Sequence, residues 1–406
     1  MKYLEKLLEG VEVEWKPLGE VCDFQNGFAF KSNLFKELGL PIVRITNIDG
    51  TNVDLTDVKY FDSTDYNVGN PLNYNIEKGD ILIAMSGATT GKIGYYNLDK
   101  TAYLNQRVGK FIPNKDRLNN RYLYHYLLTK NDFLYVLAGG GAQPNLSSNS
   151  LKEKLEIPIP PLSVQNEIVR ILDIFSALTA ELTAELTNRK KQYAFYREEL
   201  LTFGEDVKHL PLGDKSIGEF IRGSGLQKKD FTDSGVGCIH YGQVYTHYGT
   251  YTHETKTFVS EEFAEKARKA KTGDLVIATT SETDEDVCKA VAWLGEENIA
   301  VSSDACYYTH NLHPKYVAYF FQTEQFQKQK RPFITGAKVR RVNANDLAKI
   351  LIPVPSFEEQ ERIVNILDKF DALTTSMSEG LPREIELREK QYEYYRDLLL
   401  TFPKDN

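Results

Sequence analysis

Residues 87–92 read Gly-Ala-Thr-Thr-Gly-Lys, a stretch that could cradle a phosphate. A phosphate loop needs four residues between its glycines and a Ser or Thr after the lysine to hold magnesium. Here there are three, and Ile93 follows, so the stretch reads instead as a loop presenting hydroxyls and one cation. Asn70-Pro71-Leu72-Asn73 is not an amino-methyltransferase tetrapeptide, and no glycine-rich S-adenosylmethionine motif accompanies it. Cys306, His310 and His313 offer one thiol and two imidazoles but no fourth ligand, so no metal site is assigned. Glu254-Thr-Lys256 is half of a nuclease carboxylate-x-lysine pattern and has no counterpart in the first half of the chain. No Ser/His/Asp constellation stands out, and catalysis by the chain is not expected.

The same loops suit binding. Arg and Lys pair bidentately with guanine and Asn and Gln with adenine, while lysines and hydroxyls suit phosphates. The first half offers Lys31, Arg44, Asn47, Thr89, Thr90, Lys92, Asn105, Gln106, Arg107, Gln143 and Asn145. The second offers Lys228, Lys229, His240, Gln243, Thr280, Ser281, Lys289, Lys338, Arg340 and Arg341. Each alone is an ordinary surface residue. Their weight comes from falling in corresponding loops of two halves. The run 282–286 (Glu-Thr-Asp-Glu-Asp) would repel phosphates, although a carboxylate there could accept a bond from a cytosine amino group.

The two halves are related by an internal repeat. IPIPPLSVQNEIVRILDIFSALT begins at Ile157 and IPVPSFEEQERIVNILDKFDALT at Ile352, an offset of 195 residues. KQYAFYREELLTF at Lys191 answers KQYEYYRDLLLTF at Lys390, an offset of 199, so the second copy carries four extra residues near Gly380-Leu381-Pro382. GDILIAMSG from Gly79 answers GDLVIATTS from Gly273, and Arg121-Tyr122 answers Lys315-Tyr316, both at an offset of 194. One period repeated twice is a duplication, not a solenoid.

Each repeated segment reads as a long helix. Apolar residues fall at Ile168, Ile171, Phe175, Leu178 and Leu182, and Tyr193 and Tyr196 continue the stripe. The second copy gives Ile363, Ile366, Phe370, Leu373 and Met377, then Tyr392 and Tyr395. Steps of three and four make a coiled-coil seam. The first helix, 165–203, would be roughly 58 Å long at 1.5 Å per residue. Gly380 and Pro382 predict a kink or break in the second. Two matching seams most simply bury each other, and an antiparallel pair would set the globular parts at opposite ends with approximate two-fold symmetry. The alternative is that each helix packs on its own domain. The segments are therefore 1–156 and 204–351, two mixed α/β domains, and 157–203 and 352–406, two spacer helices: α+β overall. Strands are expected over 41–48 and 80–85, and a helix over 121–128.

Composition sets the remaining limits. The chain has 406 residues, 41% apolar and 26% charged, which is ordinary globular usage. No apolar run reaches the length of a membrane helix, and MKYLEKLLEGVEVEW lacks a signal-peptide core. The four cysteines (Cys22, Cys238, Cys288, Cys306) form no CxxC, which fits a reducing cytoplasm. The net charge is −8, and much of the excess lies in 352–406, with 7 basic residues against 12 acidic. An acidic second helix suits solvent or a protein partner better than DNA.

A variable domain, an IP-x-P…Q…IVxILD helix, a second variable domain and the same helix ending QYxYYRxxLL: this order resembles the specificity subunit of type I restriction-modification systems. The resemblance spans the whole chain. It implies two target recognition domains, each reading one half of a split double-stranded DNA sequence, with the coiled coil setting the gap. It also implies docking of two methyltransferase subunits and association with restriction/translocase subunits. S-adenosylmethionine would belong to the methyltransferase, with no cofactor in this chain, and the assembly would be cytoplasmic, bacterial or archaeal. An enzyme in its own right and a coiled-coil adapter that reads no DNA are the competing readings.

Overall fold

The computed structural model describes residues 7–140, 144–376 and 378–404. Its contacts gather into two units, 1–181 with 386–406, and 182–385, so the division falls within helices.

In the first unit β1 (Glu14–Pro17) is followed by β2 (Cys22–Asn26), β3 (Leu40–Val43), β4 (Lys59–Phe61), β5 (Asn75–Ile76), β6 (Ile81–Ala84), β7 (Ile93–Tyr95), β8 (Ala102–Leu104) and β9 (Val108–Pro113). Helices α1 (Asn120–Leu128), α2 (Asn131–Leu137) and α3 (Ser148–Lys154) lead to β10 (Glu156–Ile159). One sheet runs β2-β9-β6-β7, the other β4-β3-β8-β5 with β3 and β8 parallel. Strand alternation builds both cores. Ile81 and Ile83 face α1 through Tyr122, Leu123 and Leu127, whereas Leu82 and Ala84 face Val43, Ile76 and Leu104 of the second sheet. Because β6 is buried on both faces, it reads as an unbroken apolar run. The expected strand over 41–48 stops at Val43, and Ile45–Asn47 is a 3-10 turn.

Helix α4 (Leu162–Leu200) is unbroken over 39 residues. The second unit then repeats the plan. Its strands are β11 (His209–Pro211), β12 (Gly218–Arg222), β13 (Phe231–Thr232), β14 (Val236–Ile239), β15 (Tyr251–Thr252), β16 (Thr257–Val259), β17 (Lys269–Ala270), β18 (Leu275–Ala278), β19 (Thr280–Ser281), β20 (Ala290–Trp293), β21 (Ile299–Val301), β22 (Ala305–His310), β23 (Arg340–Arg341) and β24 (Leu351–Pro353). The sheets are β12-β22-β18-β20-β15 and β13-β16-β14-β21-β17. Between strands lie α5 (Tyr241–Thr246), α6 (Glu261–Lys266), α7 (Pro314–Phe320), α8 (Glu324–Lys330) and α9 (Ala344–Leu347). In each unit an entry strand pairs with the strand preceding the long helix: β1 with β10, and β11 with β24.

The second spacer is two helices, α10 (Phe357–Thr375) and α11 (Leu381–Leu400). The break falls where Gly380 and Pro382 predict it. Gly380 is buried, and a Cβ there would lie 2.5 Å from the Ala372 carbonyl and 2.8 Å from that of Ser376.

Helix pairing is the same in both units. Phe175 stacks on Tyr395 in the first, with centroids 5.0 Å apart, and Tyr196 stacks on Phe370 in the second at 5.5 Å. The early part of one copy thus meets the late part of the other, an antiparallel arrangement. Each helix also packs on the domain before it. Ile168, Ile171 and Leu172 join the core of the first unit, and Ile363, Val364 and Leu367 that of the second. The buried stripe is consequently wider than a two-position seam. Leu172, Val364 and Leu367 are buried where the seam did not place them, Leu178, Leu182 and Ile366 are half-buried, and Leu373 and Tyr196 are 36% and 40% exposed. Met377 lies outside the described residues.

Two polar clips fix each helix start. Gln165 is fully buried. Its Oε1 accepts from the Asn119 N–H at 2.8 Å, and its Nε2 donates to the carbonyls of Arg117 (2.9 Å) and Pro160 (2.8 Å). Gln360 accepts from the His313 N–H at 2.9 Å and donates to the Pro355 carbonyl at 3.0 Å. About two helical turns further on, Asp173 accepts from Arg121 Nε (3.1 Å) and lies 2.9 Å from His125 Nε2, while Asp368 accepts from Lys315 (2.7 Å) and Tyr319 (2.7 Å). Burial pushes the His125 pKa down, and the Asp173 carboxylate works against that shift.

His310 gives the second unit a pH dependence. Its ring lies 4.8 Å from that of Tyr308, and burial, with His313 nearby, lowers its pKa to about 4. The folded chain therefore holds it neutral while the unfolded chain protonates near 6.5. Its contribution is present above pH 6.5 and is lost as pH falls to about 4, a total of roughly 3 kcal/mol. Urea unfolding at pH 7 and pH 4 should show this loss, and His310→Phe should reduce it. An unchanged pH slope in that variant would contradict the assignment. Among the described residues no helix is long and apolar enough to cross a membrane.

Candidate nucleic-acid interface

In the first unit four loops converge beyond the end of β6. The loop after β6 bridges the segment before α3 through Ser86 and Asn145, and Gly87 N–H donates to the Pro144 carbonyl. Met85 N–H donates to the Arg107 carbonyl, Asn105 N–H to that of Val43, and Thr89 Oγ1 to that of Ile45. Arg44, Thr89, Lys92, Asn105, Gln106, Arg107 and Asn145 thus share one end of the sheet. Lys92, Gln106, Arg107 and Asn145 are exposed there. Arg44 Nε is buried with no hydrogen-bond partner among the described residues.

The second unit makes the same junction. Thr280 and Ser281 pair with Arg341 and Arg340, and Val342 N–H donates to the Thr279 carbonyl. Arg222, Ser303, Asp304, Arg341 and Asn343 line a polar cleft beside it. Asn145 in one unit and Arg340-Arg341 in the other therefore occupy matching places. The loop 281–286 is longer than its counterpart and acidic, and Asp284 Oδ1 forms an ion pair with Arg340 Nε at 2.7 Å. Lys338 is exposed in the turn before β23, and Lys31, Lys228 and Lys229 are exposed on 3-10 turns or beside them.

Several of the sequence-derived candidates have structural duties instead. Asn47 is 5% exposed, accepts from Arg44 N–H and donates to the Asp57 carbonyl. Thr90, 8% exposed, donates to the carbonyls of Gly87 and Pro144, which ties the two loops together. Thr280 is 6% exposed in β19. These three cannot reach a ligand, because buried amides and hydroxyls in tight loops satisfy the backbone. Gln243 is half-buried, accepts from His240 N–H and donates to Thr257 Oγ1, while His240 Nδ1 accepts from Gly242 N–H. Burial and the Lys228 charge keep His240 below its ordinary pKa. Lys289 donates to the Tyr245 carbonyl. Gln143 lies outside the described residues. Sequence reasoning missed Arg222 and Asn343: the pairing of β12 with β22 brings Arg222 to the cleft, and that of β19 with β23 brings Asn343.

The family model for the type I restriction modification DNA specificity domain matches this chain twice, over 10–190 and 205–387. The chain belongs to that family. Each specificity-domain match takes in one globular domain and most of the helix after it. The type I restriction enzyme EcoR124I/EcoR124II specificity subunit of Escherichia coli is 34% identical over 420 residues, covering 100% of this chain and 98% of that one. The fold is similar to the crystal structure of a type I restriction-modification S subunit from M. genitalium, with a TM-score of 0.57 at 16% identity and 98% of each chain covered. A chain from a structure titled for complex assembly and conformational transition of the type I R-M system gives 0.56 at 16% identity, over 97% of this chain and 98% of that one.

Proposed function

We propose that this specificity subunit reads a split double-stranded DNA sequence for a type I restriction-modification complex and is not itself a catalyst. Residues 1–156 and 204–351 act as target recognition domains, and 157–203 and 352–406 as the spacer between them. The observation that carries this reading is the duplicated loop junction, which keeps one frame but holds Asn145 in one copy and Arg340-Arg341 in the other. Asn suits adenine and Arg suits guanine, so the two half-sites differ. Lys31, Arg44, Thr89, Lys92, Asn105, Gln106, Arg107, Asn145, Lys228, Lys229, Ser281, Lys338, Arg340 and Arg341 remain as contacts to bases or phosphates.

Duplication also favours two copies of one partner. Phe195 and Tyr394 occupy equivalent positions in the two helix copies, are 62% and 56% exposed, and each meets the next tyrosine, Tyr196 or Tyr395, edge-on. Two methyltransferase subunits, which would carry S-adenosylmethionine, dock there, and restriction/translocase subunits join them in the cytoplasm.

The reading is tested by titrating the reconstituted chain-plus-methyltransferase complex onto its cognate duplex and a scrambled one. It predicts at least a thousandfold preference for the cognate duplex and a steep fall of affinity with salt. Equal affinity for both duplexes would favour the adapter reading.

A further inference from the structure

Arg340 differs from every other cation of the candidate interface in being held by a carboxylate inside an acidic loop. Its Nε lies 2.7 Å from Asp284 Oδ1 in an ion pair, and its Nη1 donates to the Gly336 carbonyl at 2.5 Å. Both N–H groups on Nη2 remain. The support is itself fixed. Tyr245 O–H donates to the Thr280 carbonyl (2.8 Å) at one end of the acidic loop. At the other, Lys330, with no exposed surface, donates to the carbonyls of Glu285 (3.1 Å) and Val287 (2.8 Å). Gly336 holds the turn at φ +90°, where a Cβ would lie 2.1 Å from the Val339 carbonyl.

Electrostatics then separates the two neighbouring arginines. Asp284 sits against Arg340, and Glu282, Glu285 and Asp286 are exposed in the same loop, so the local charge disfavours a phosphate there. A base edge has no net charge, and guanine O6 and N7 accept two parallel N–H bonds. Adjacent residues of a strand point to opposite faces, so Arg341 turns away from Asp284 and into the cleft with Arg222. We propose that Arg340, oriented by Asp284, reads a guanine in the second half-site, with Lys330 as the positioning residue that holds the loop carrying Asp284, while Arg341 contacts a phosphate. This rests on the DNA-reading function proposed above.

The test uses the full chain with its methyltransferase partner and maps the methylated motif by single-molecule sequencing. Arg340→Lys keeps the charge but loses the planar fork. It should cut discrimination at one guanine of the second half-site roughly 10- to 100-fold and leave the first half-site unchanged. Asp284→Asn and Lys330→Met should relax the same position, and Arg341→Ala should weaken methylation evenly without changing the motif. Melting curves matching the parent's show that each variant is folded. If Lys330→Met does not fold, the two surface variants carry the test. An unchanged motif in Arg340→Lys, or even weakening at all positions, overturns the assignment to guanine. A parent complex that methylates no split motif overturns the DNA-reading function instead.

Discussion

Gln165→Ala is expected to destabilise the first unit by about 3 kcal/mol. The side chain is buried and spends three hydrogen bonds on Asn119, Arg117 and Pro160, which joins the loop before α1 to the start of α4. Alanine leaves a buried N–H and two carbonyls without partners, at roughly 1–3 kcal/mol for each group that water cannot reach, and adds a small cavity. Gln360→Ala removes two such bonds and should cost less. Urea unfolding of variants keeping a single tryptophan, Trp15 in the first unit or Trp293 in the second, reads the two separately. A Gln165→Ala midpoint equal to that of the parent would show that water replaces the clip.

Truncating Phe195 and Tyr394 together should have the largest effect on assembly. Phe195 and Tyr394 are large and solvent-facing, and each makes an edge-to-face contact with its neighbour. Aromatic anchors of this kind dominate interface energies, at 2 kcal/mol or more each, which is roughly thirtyfold in affinity. Phe195→Ala should weaken one methyltransferase site and Tyr394→Ala the other, so that each single variant binds one subunit and the double variant neither. Sedimentation of the reconstituted complexes reports the stoichiometry. Two subunits retained by the double variant would place docking elsewhere. The unfolding midpoint should hardly move, because neither ring is buried.

The sequence carried the architecture because duplication wrote it twice. The repeated IVxILD motif and the matching QYAFYR and QYEYYR segments marked the helices, and Gly380 and Pro382 marked the break between α10 and α11. It could not distinguish a loop amide that reads a ligand from one that ties the loop. Asn47 is the same residue type as Asn145, and Thr90 and Thr280 carry a hydroxyl as Ser281 does, so only burial separates them. The repeated glutamine was visible in both copies, but its partners at Asn119 and His313 lie 46 and 47 residues away. The Asp284–Arg340 pair was hidden in the same way, because β19 must pair with β23 before the acidic loop meets the arginine. The seam was too narrow because a period of three and four marks an apolar stripe without saying how many neighbours share it.

The central claim is that this chain supplies the sequence preference of a DNA methyltransferase. Its most direct test is a genome-wide methylation map from cells expressing a cognate methyltransferase subunit with and without this chain. The account predicts a split motif with unlike halves, methylated only when both chains are present. Methylation of the same sites without this chain, or no new motif from a pair shown to assemble, would contradict it.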